Sequence, residues 1–278
     1  AIEKAFVEHG GVVCSCTFKN GEFKFEFSEN SFEIKKYMGS KYIKSSPIGI
    51  YKALANKLNH GQKVLFIGLP CQVAAVKNHN PLNLYTVDLI CHGTPSVRIL
   101  NHFLQDLGTK ISNINTITFR EKNIFKLQID DKSYAIPNIS DDYLVSFLRA
   151  ICYTENCYSC RYARIERIGD ITLGDSWGSD LDNKEQNKGV SLILCQNNKG
   201  EELLKQGKLK LLDVNLKRAI EYNHQLQHPS SIPVQRKKFF HELEKGTKFK
   251  CIVRKCFPIY YLKKTLKIFL YSLHMSNK

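Results

Sequence analysis

The chain shows two patterns of hydrophobic and polar residues, and together they predict an α/β protein. Residues 64–67 and 84–90 are short, largely apolar runs, typical of strands that are buried on both faces of a sheet. Each run is followed by a turn that contains glycine and then by a helical pattern, which begins near Pro70 and at Ser96. The repeated order of strand, turn and helix predicts a mixed, partly parallel sheet that is flanked by helices.

The second pattern is a strict alternation of apolar and polar residues, and it predicts additional strands beside the two buried ones. Phe23, Phe25 and Phe27 alternate with polar residues, as in a half-buried strand. Asn20-Gly21 before them predicts a hairpin, because both residues tolerate positive φ. The predicted strands are 12–18, 22–27, 64–67, 84–90, 114–119, 125–129, 171–173, 190–195 and 209–213. The predicted helices are 1–9, 47–59, the segment from 70–71 onward, 96–107, 141–150, 200–206 and 239–244. The polar segment 180–188 is predicted to be a loop.

The last 34 residues of the chain differ from the rest in charge. Residues 245–278 contain no acidic residue, and a helical pattern places large apolar side chains on one face and lysines on the other. We therefore predict one α/β domain over 1–245 and a basic, amphipathic helical tail over 246–278. Such a helix contacts a membrane surface or packs against protein, and both interpretations stay open. The apolar face consists of Leu262, Leu266, Phe269, Leu270 and Leu273, and the lysines are Lys263, Lys264 and Lys267.

Composition narrows the choice of partner and compartment. The 278 residues carry a formal net charge of +15, which favours an acidic partner such as a nucleic acid, an anionic membrane or an acidic protein. No stretch of five to eight residues is both rich in Lys and Arg and free of apolar residues, so specific nucleic-acid binding is not expected. No signal peptide and no apolar run of transmembrane length are visible, so we expect a cytoplasmic protein. Assembly into a homo-oligomer is left open.

Ten cysteines are many for a chain that is expected in a reducing compartment, where clustered cysteines more often bind metal than form disulfides. Cys157 and Cys160 form a C-x-x-C pair, a spacing that is common in zinc and iron–sulfur sites. Arg161, Arg164 and Arg167 follow, and positive charge favours the thiolate form of cysteine. The pair is therefore a candidate for half of a metal site.

Two further cysteines follow the two buried strands, Cys71 after the first and Cys91 after the second. Because ligands bind at the carboxyl ends of parallel strands, we expect both to join Cys157 and Cys160 in one metal centre. Four thiolates suit tetrahedral zinc or a 4Fe-4S cluster, although any single cysteine could instead be a buried structural thiol. Cys14 and Cys16 share one face of the first predicted strand, where they could bind a metal or, as we expect, pack as small buried hydrophobes. Cys195 is expected in the core.

A turn-rich segment after the predicted strand 171–173 carries an acid and the single tryptophan. Glycines flank Asp175 and Trp177, and such glycines let the backbone approach a flat ligand closely. A tight turn with Trp177 as a plug of the core explains the same residues equally well. His92, next to Cys91, is either a proton donor or simply a hydrogen-bonded side chain.

Several short motifs of this chain occur together in one known family. They are Gly39-Ser40-Lys41-Tyr42, Gly68-Leu69-Pro70-Cys71-Gln72, the run 87–93 with Pro95-Ser96, Phe119-Arg120-Glu121-Lys122, Cys157-Tyr158-Ser159-Cys160, Arg167, the run 170–178 and, more weakly, 189–191, 223–236 and 239–240. Together they resemble the C-terminal domain of the beta subunits of coenzyme F-420 (deazaflavin) hydrogenases and dehydrogenases, in the form found in bacterial polysaccharide loci. The resemblance covers about residues 1–245.

The resemblance implies an iron–sulfur flavoprotein oxidoreductase that passes electrons between a flavin, a 4Fe-4S cluster and a soluble donor or acceptor. It supports Cys71, Cys91, Cys157 and Cys160 as cluster ligands and suggests FAD near the strand ends. Members of the family usually begin with a ferredoxin-like segment that has no match here, so an acidic ferredoxin-like donor is expected as a partner. The residues implied to bind the flavin are Gly39, Ser40, Lys41, Tyr42, Gly68, His92, Asp175 and Trp177.

Two other functions would use the same residues. The four cysteines could hold a structural zinc ion in a binding module. Alternatively, the chain could be a non-catalytic interaction module whose basic surface docks an acidic ferredoxin. The sequence names neither the substrate nor the electron acceptor.

Overall fold

The structure is a computed structural model that describes residues 1–78, 81–122, 124–134 and 140–276, without the side chains of Asn183 and of residues 271–276. Leu273 of the predicted apolar face therefore lies outside the described side chains. Contacts within the chain define two units, and the predicted boundary at residue 245 stays a prediction. The first unit consists of Ala1–Met38, Ser45–His92 and Ser159–Pro229, and the second of Gly39–Lys44, Gly93–Tyr158 and Ser230–Lys278.

Strands and helices follow one another as the sequence predicts through most of the chain. The strands are β1 (Val12–Lys19), β2 (Glu22–Ser28), β3 (Val64–Gly68), β4 (Leu84–Leu89), β5 (Ile117–Glu121), β6 (Ile124–Ile129), β7 (Lys132–Ser133), β8 (Ile171–Asp175) and β9 (Ser191–Cys195). The α-helices are α1 (Ile2–Glu8), α2 (Ile50–Asn59), α3 (Pro70–Lys77), α4 (Val97–Asp106), α5 (Asp142–Leu148), α6 (Asn183–Asn187), α7 (Asn198–Gln206), α8 (Leu216–Tyr222), α9 (Arg236–Glu244), α10 (Phe249–Cys256) and α11 (Pro258–Ser276).

The first unit contains a six-stranded sheet in the order β2-β1-β3-β4-β8-β9. The strands β1, β3, β4 and β8 are parallel, with Val64 opposite Leu84 and Val87 opposite Ile171. At the two edges, β2 and β9 pair antiparallel with their neighbours. This mixed sheet confirms the predicted α/β fold.

Both faces of β3 are buried, which explains its continuous apolar run. Leu65 packs in a cluster with Phe6 of α1 and Leu203 of α7. Phe66, on the opposite face, packs in a second cluster with Leu54 of α2. Helices therefore cover both faces of the sheet, and the carboxyl ends of its parallel strands lead into the loops that carry the candidate residues.

The predicted hairpin between β1 and β2 is confirmed. Asn20 and Gly21 have φ angles of 53° and 75°, the left-handed pair that a two-residue turn between twisted strands favours. Phe25 of β2 stacks on Phe66 of β3, with ring centroids 5.1 Å apart. The hairpin therefore both extends the sheet and supplies an aromatic ring to the core.

The second unit combines a small antiparallel sheet with helices. The strands β5, β6 and β7 pair in that order. Tyr143 of α5 is fully buried, and its ring lies 5.8 Å from the rings of Phe103 in α4 and Phe119 in β5. Phe249 of α10 packs edge-on against Phe239 of α9 at 5.8 Å. Aromatic packing is thus the main feature of this core.

Two predicted elements in the first unit are wrong. Residues 209–213 form no strand, and α8 follows them. Leu211 and Leu212 are 53% and 59% exposed, so these residues lack the burial against a neighbouring strand that makes a strand favourable. The polar segment 180–188, predicted as a loop, contains the short helix α6. Asp182 caps this helix by accepting a hydrogen bond from the backbone N–H of Glu185 at 2.8 Å.

The predicted core position of Cys195 is also wrong, because this residue is exposed. Along β9 it alternates with the buried Leu192 and Leu194, so its side chain lies on the opposite face, at the end of an edge strand. The prediction for Cys14 is confirmed, since this thiol is fully buried and its burial raises its pKa. Within the described residues, no helix has the length and apolar character needed to cross a membrane.

Candidate metal and cofactor site

Several candidate residues of the first unit share one edge of its sheet. The strands β3, β4 and β8 are parallel neighbours, with Gly68 opposite Asp88 and Leu89 opposite Leu173. Their carboxyl ends therefore lie at the same edge, which we call the carboxyl edge. Gly68, Cys71, Cys91, His92 and Asp175 end these strands or follow them directly, as the sequence predicts.

Cys71 lies in the first turn of α3 and is exposed. Gln72 fixes the entry to this helix, because its side-chain oxygen accepts from the Leu69 N–H at 2.9 Å and its amide donates to Ser45 Oγ at 3.1 Å. Gly68 must lack a side chain here, since a Cβ would lie 2.9 Å from the Phe66 ring. A helix N-terminus stabilises negative charge, so the position of Cys71 favours a thiolate.

Asp88 and Arg167 form a buried ion pair next to Cys91. Their side chains are 0% and 1% exposed, and Arg167 Nη2 lies 3.2 Å from Asp88 Oδ1. The same guanidinium donates to the Leu89 carbonyl at 2.8 Å, two residues before Cys91. Arg167 thus holds the end of β4 through the backbone carbonyl of Leu89 as well as through the carboxylate of Asp88.

Arg167 also fixes the segment that follows Cys160. Its Nη1 donates to the Tyr162 carbonyl at 2.5 Å, and the Gly169 N–H donates to Asp88 Oδ2 at 2.9 Å. The segment between Cys160 and Gly169 is therefore tied to the strand that leads into Cys91. The family resemblance includes Arg167, but the sequence suggested only that its positive charge favours nearby thiolates. The ion pair was not predicted, because Asp88 lies 79 residues away along the chain.

Cys157 belongs to the second unit, where it lies in a short 3₁₀ turn, Glu155–Ser159. Its Sγ lies 3.2 Å from Thr154 Oγ1, and its N–H donates to the Thr154 carbonyl at 3.0 Å. The structure records Cys157 and Cys160 as thiols outside any disulfide.

Arg236 of α9 clamps this 3₁₀ turn within the second unit. Its Nη1 donates to the Ile151 carbonyl at 2.9 Å and to Tyr158 Oη at 3.0 Å, and its Nη2 donates to Glu155 at 3.0 Å. Its guanidinium also stacks on the Tyr158 ring, 4.7 Å from the centroid. The sequence did not predict that Arg236 holds this turn. The one signal for it was the weak family resemblance over residues 223–236.

The four thiols fit an iron–sulfur or zinc site in their chemistry, because an all-sulfur donor set suits both. Three of them, Cys71, Cys91 and Cys160, belong to the first unit, and Cys157 to the second. Among the described residues, no group of three or more His, Cys, Asp and Glu side chains is arranged to hold a metal ion. The convergence of the four cysteines on one centre therefore stays a prediction.

His92 lies in a small polar network at the carboxyl edge. Its Nδ1 lies 2.7 Å from the side-chain nitrogen of Gln225, which also contacts His224. Part of the His92 side chain is exposed to solvent, but the many protein atoms around its imidazole ring disfavour the charged form. This desolvation, helped by His224 and opposed by Asp175, lowers the pKa of His92 to about 4. His92 is therefore neutral at neutral pH, with Nδ1 placed to accept from the amide of Gln225.

Trp177 follows β8 and is 37% exposed, so it is not a plug of the core. Gly178 next to it has a φ of 71°, and a Cβ there would lie 2.4 Å from the Tyr222 ring. A groove of about 520 Å³ in the first unit is lined by Trp177, by β9 and by residues 210–215. Its volume is within the range of small-molecule sites, and the indole offers a flat face to a ligand.

The loop Gly39-Ser40-Lys41-Tyr42 belongs to the second unit. Gly39 has a φ of 85° with open space around it, and Lys41 Nζ donates to the Gly39 carbonyl at 3.1 Å. The Tyr42 ring stacks on Phe147 at 4.3 Å, and its carbonyl accepts from Tyr143 Oη at 2.9 Å. Tyr42 therefore anchors the loop in the aromatic core, while the exposed Gly39 and Ser40 are accessible.

The chain is similar to known proteins in sequence and in fold. Residues 61–215, more than half of the chain, match the family described as the C terminus of the beta subunit of coenzyme F420 hydrogenase/dehydrogenase. Among solved structures, the xenon-derivatized F420-reducing [NiFe] hydrogenase complex from Methanosarcina barkeri is similar, with a TM-score of 0.53 and 19% identity. That similarity covers 81% of each chain and shows a shared fold. No curated protein matches the chain significantly.

Proposed function

Since the chain belongs to the family of C-terminal segments of the coenzyme F420 hydrogenase and dehydrogenase beta subunits, we propose that it is an iron–sulfur flavoprotein oxidoreductase. It transfers electrons between a 4Fe-4S centre, a flavin and an acceptor or donor, which is a deazaflavin or another soluble molecule. The observation that carries the proposal is the placement of Cys71 and Cys91 after adjacent parallel strands, at the edge where α/β sheets bind ligands.

The proposed cluster ligands are Cys71, Cys91, Cys157 and Cys160. A cluster supplies one-electron exchange, and a flavin supplies hydride exchange. The protein's own contribution is to hold the thiols in place. Arg167 ties the segment after Cys160 to β4, and Arg236 clamps the turn that contains Cys157.

The proposed flavin contacts are Gly39, Ser40, Lys41, Tyr42, Gly68, His92, Asp175 and Trp177. Three observations support them. Gly39 has open space around it, Gly68 lies at the end of β3 where a larger residue would not fit, and the indole of Trp177 is accessible. His92 is neutral, so it can donate from its Nε2 while its Nδ1 accepts from Gln225.

The proposed electron partner is an acidic ferredoxin-like protein. The formal charge of +15 supports this choice, because opposite charge speeds encounter between proteins. A role in the synthesis of surface polysaccharide stays a prediction, and the structure names no sugar substrate.

The test is the cofactor content of the chain after purification without oxygen. We expect a brown protein with about four iron and four sulfide per chain and bound FAD, as a 4Fe-4S flavoprotein requires. A colourless protein with one zinc per chain would instead support the zinc-stabilised module and refute the redox proposal. In a second measurement, reduction by an acidic ferredoxin should slow at high salt, since the Debye length falls from about 10 Å at 0.1 M to 3 Å at 1 M. Rates that do not change with salt would contradict the acidic partner.

A further inference from the structure

The helix α11 exposes a row of large apolar side chains to solvent. Ile259, Leu262, Leu266 and Leu270 are 72%, 72%, 59% and 56% exposed. Their spacing of three and four residues places them on one face of the helix. Soluble proteins seldom expose several large aliphatic side chains in one continuous row, so this face marks an interaction surface.

The opposite face of α11 packs on the second unit and fixes the orientation of the exposed row. Lys264 Nζ donates to Asp142 Oδ1 at 2.7 Å, and Tyr260 Oη donates to the Ser140 carbonyl at 3.4 Å. The Arg149 guanidinium lies 5.9 Å from the centre of the Tyr260 ring. Because these contacts hold Tyr260 and Lys264 inward, the aliphatic row points away from the unit to which the helix belongs.

Charge distinguishes the kinds of partner that could cover this face. Residues 245–278 contain nine lysines and arginines and no acidic residue, and they therefore supply nine of the fifteen net positive charges. Lys263 and Lys267 are exposed and lie on α11 beside the aliphatic row. An apolar stripe bordered by lysines is the pattern of helices that lie in the interface of an anionic bilayer.

From these observations we infer that α11 is a peripheral anchor for an anionic lipid surface. Ile259, Leu262, Leu266 and Leu270 insert at the boundary between headgroups and acyl chains, and Lys263 and Lys267 contact lipid phosphates. A second copy of the chain is a poor occupant of the same face, because it would bring two uniformly basic helices together. This inference does not depend on the proposed redox function.

Binding of the full chain to lipid vesicles tests the anchor. We expect cosedimentation with vesicles of phosphatidylcholine that contain phosphatidylglycerol, and little with phosphatidylcholine alone. The double variant Leu262→Gln/Leu266→Gln should bind at least about tenfold more weakly, because two apolar side chains no longer enter the bilayer. The matched control is Leu211→Gln/Leu212→Gln, which removes two similarly exposed leucines from the first unit and should bind like the wild type.

The lysines are tested in the same way. Lys263→Gln/Lys267→Gln should bind anionic vesicles about tenfold more weakly, whereas Lys52→Gln/Lys63→Gln, which removes two lysines of the first unit, should not. Equal binding to neutral and anionic vesicles would overturn the inference. So would unchanged binding of the Leu262/Leu266 variant. A sedimentation coefficient that rises with protein concentration and falls in that variant would assign the face to self-association instead.

Discussion

The two edges of the parallel strands in the first unit differ in how completely the protein satisfies its own polar groups. At the amino edge, where β8 begins, the buried Asp170 accepts from Thr86, from Lys77 at 3.0 Å and from Asn197 at 2.9 Å. At the carboxyl edge, the side-chain oxygen of the buried Gln225 has no hydrogen-bond partner in the part of the chain that the structure describes. The carboxyl edge therefore has a hydrogen-bond acceptor left for a ligand.

Burial also affects one titratable side chain at each edge differently. Burial alone would raise the pKa of Asp170, but hydrogen bonds from Asn197, Lys77 and Thr86 outweigh it and hold the pKa below the usual value. Desolvation keeps His92 neutral at the carboxyl edge. Each edge has an ion pair, Asp170 with Lys77 at the amino edge and Asp88 with Arg167 at the carboxyl edge, and the carboxyl edge adds a neutral imidazole that can both donate and accept. The comparison teaches that both ends of the strands contribute to stability, and that the carboxyl edge combines this with groups that can hydrogen-bond a ligand.

The largest expected difference between the edges concerns iron. Cys91→Ser at the carboxyl edge should remove nearly all iron from the chain, because a serine oxygen is a poor ligand for the soft site of a cluster. Cys157→Ser should have the same effect. Cys195→Ser is the matched control at the amino edge, where Cys195 lies opposite Ile171 and is exposed. It should keep its iron.

Iron and sulfide per chain, with visible absorption, measure this difference after purification without oxygen. Full iron in the Cys91 variant, or equal loss in the Cys195 variant, would remove the reason for assigning the two edges different roles.

The next largest effect concerns the ion pairs. Arg167→Met should lower the free energy of unfolding by about 3–5 kcal/mol, because it leaves the fully buried Asp88 without its cation. Lys77→Met breaks the corresponding pair with Asp170. It should cost less, about 1–3 kcal/mol, because Lys77 is 23% exposed and Asp170 keeps its hydrogen bonds from Thr86 and Asn197.

Urea unfolding of both variants, monitored by circular dichroism, gives the two values under identical conditions. Equal costs would show that the carboxyl edge depends no more on its ion pair than the amino edge does.

The smallest effect depends on pH. Asp170 has a lowered pKa in the folded state, so its contribution to stability is present above the unfolded value of about 3.8 and is lost as pH falls through the lower folded value. Asp170→Asn should therefore cost about 1–3 kcal/mol at pH 7 and progressively less below about pH 4. Asp180→Asn, at an exposed carboxylate that pairs with Arg218, should have little effect at either pH.

Unfolding free energies at pH 7 and pH 3.5 test this prediction. A cost of Asp170→Asn that stays constant between these values would indicate that the residue acts by its shape rather than by its charge.

Local patterns predicted the part of the fold that depends on neighbours in sequence. The apolar runs of β3 and β4, the glycine turns after them and the Asn20-Gly21 hairpin all follow from short segments, and the structure confirms them. The placement of Cys71 and Cys91 after parallel strands follows in the same way.

The remaining features depend on partners far along the chain. The segment 209–213 has the side chains of a strand but no neighbouring strand, and Cys195 ends a strand that lies at the edge. The contacts of Arg167 with Asp88 and of Arg236 with Ile151 span 79 and 85 residues. A local sequence pattern cannot indicate contacts between residues so far apart in the chain. The sequence therefore suggested the candidate thiols but not the arginines that hold the segments around them.

The clamp formed by Arg236 has a consequence for how this family is divided into modules. The segment that matches the family ends at residue 215, before Arg236, and begins at residue 61, after β1 and β2. A fragment cut to the matched segment would therefore expose the free edge of β3 and leave the turn around Cys157 without its guanidinium. Experiments on isolated fragments of this chain should therefore extend at least from α1 to the end of α9.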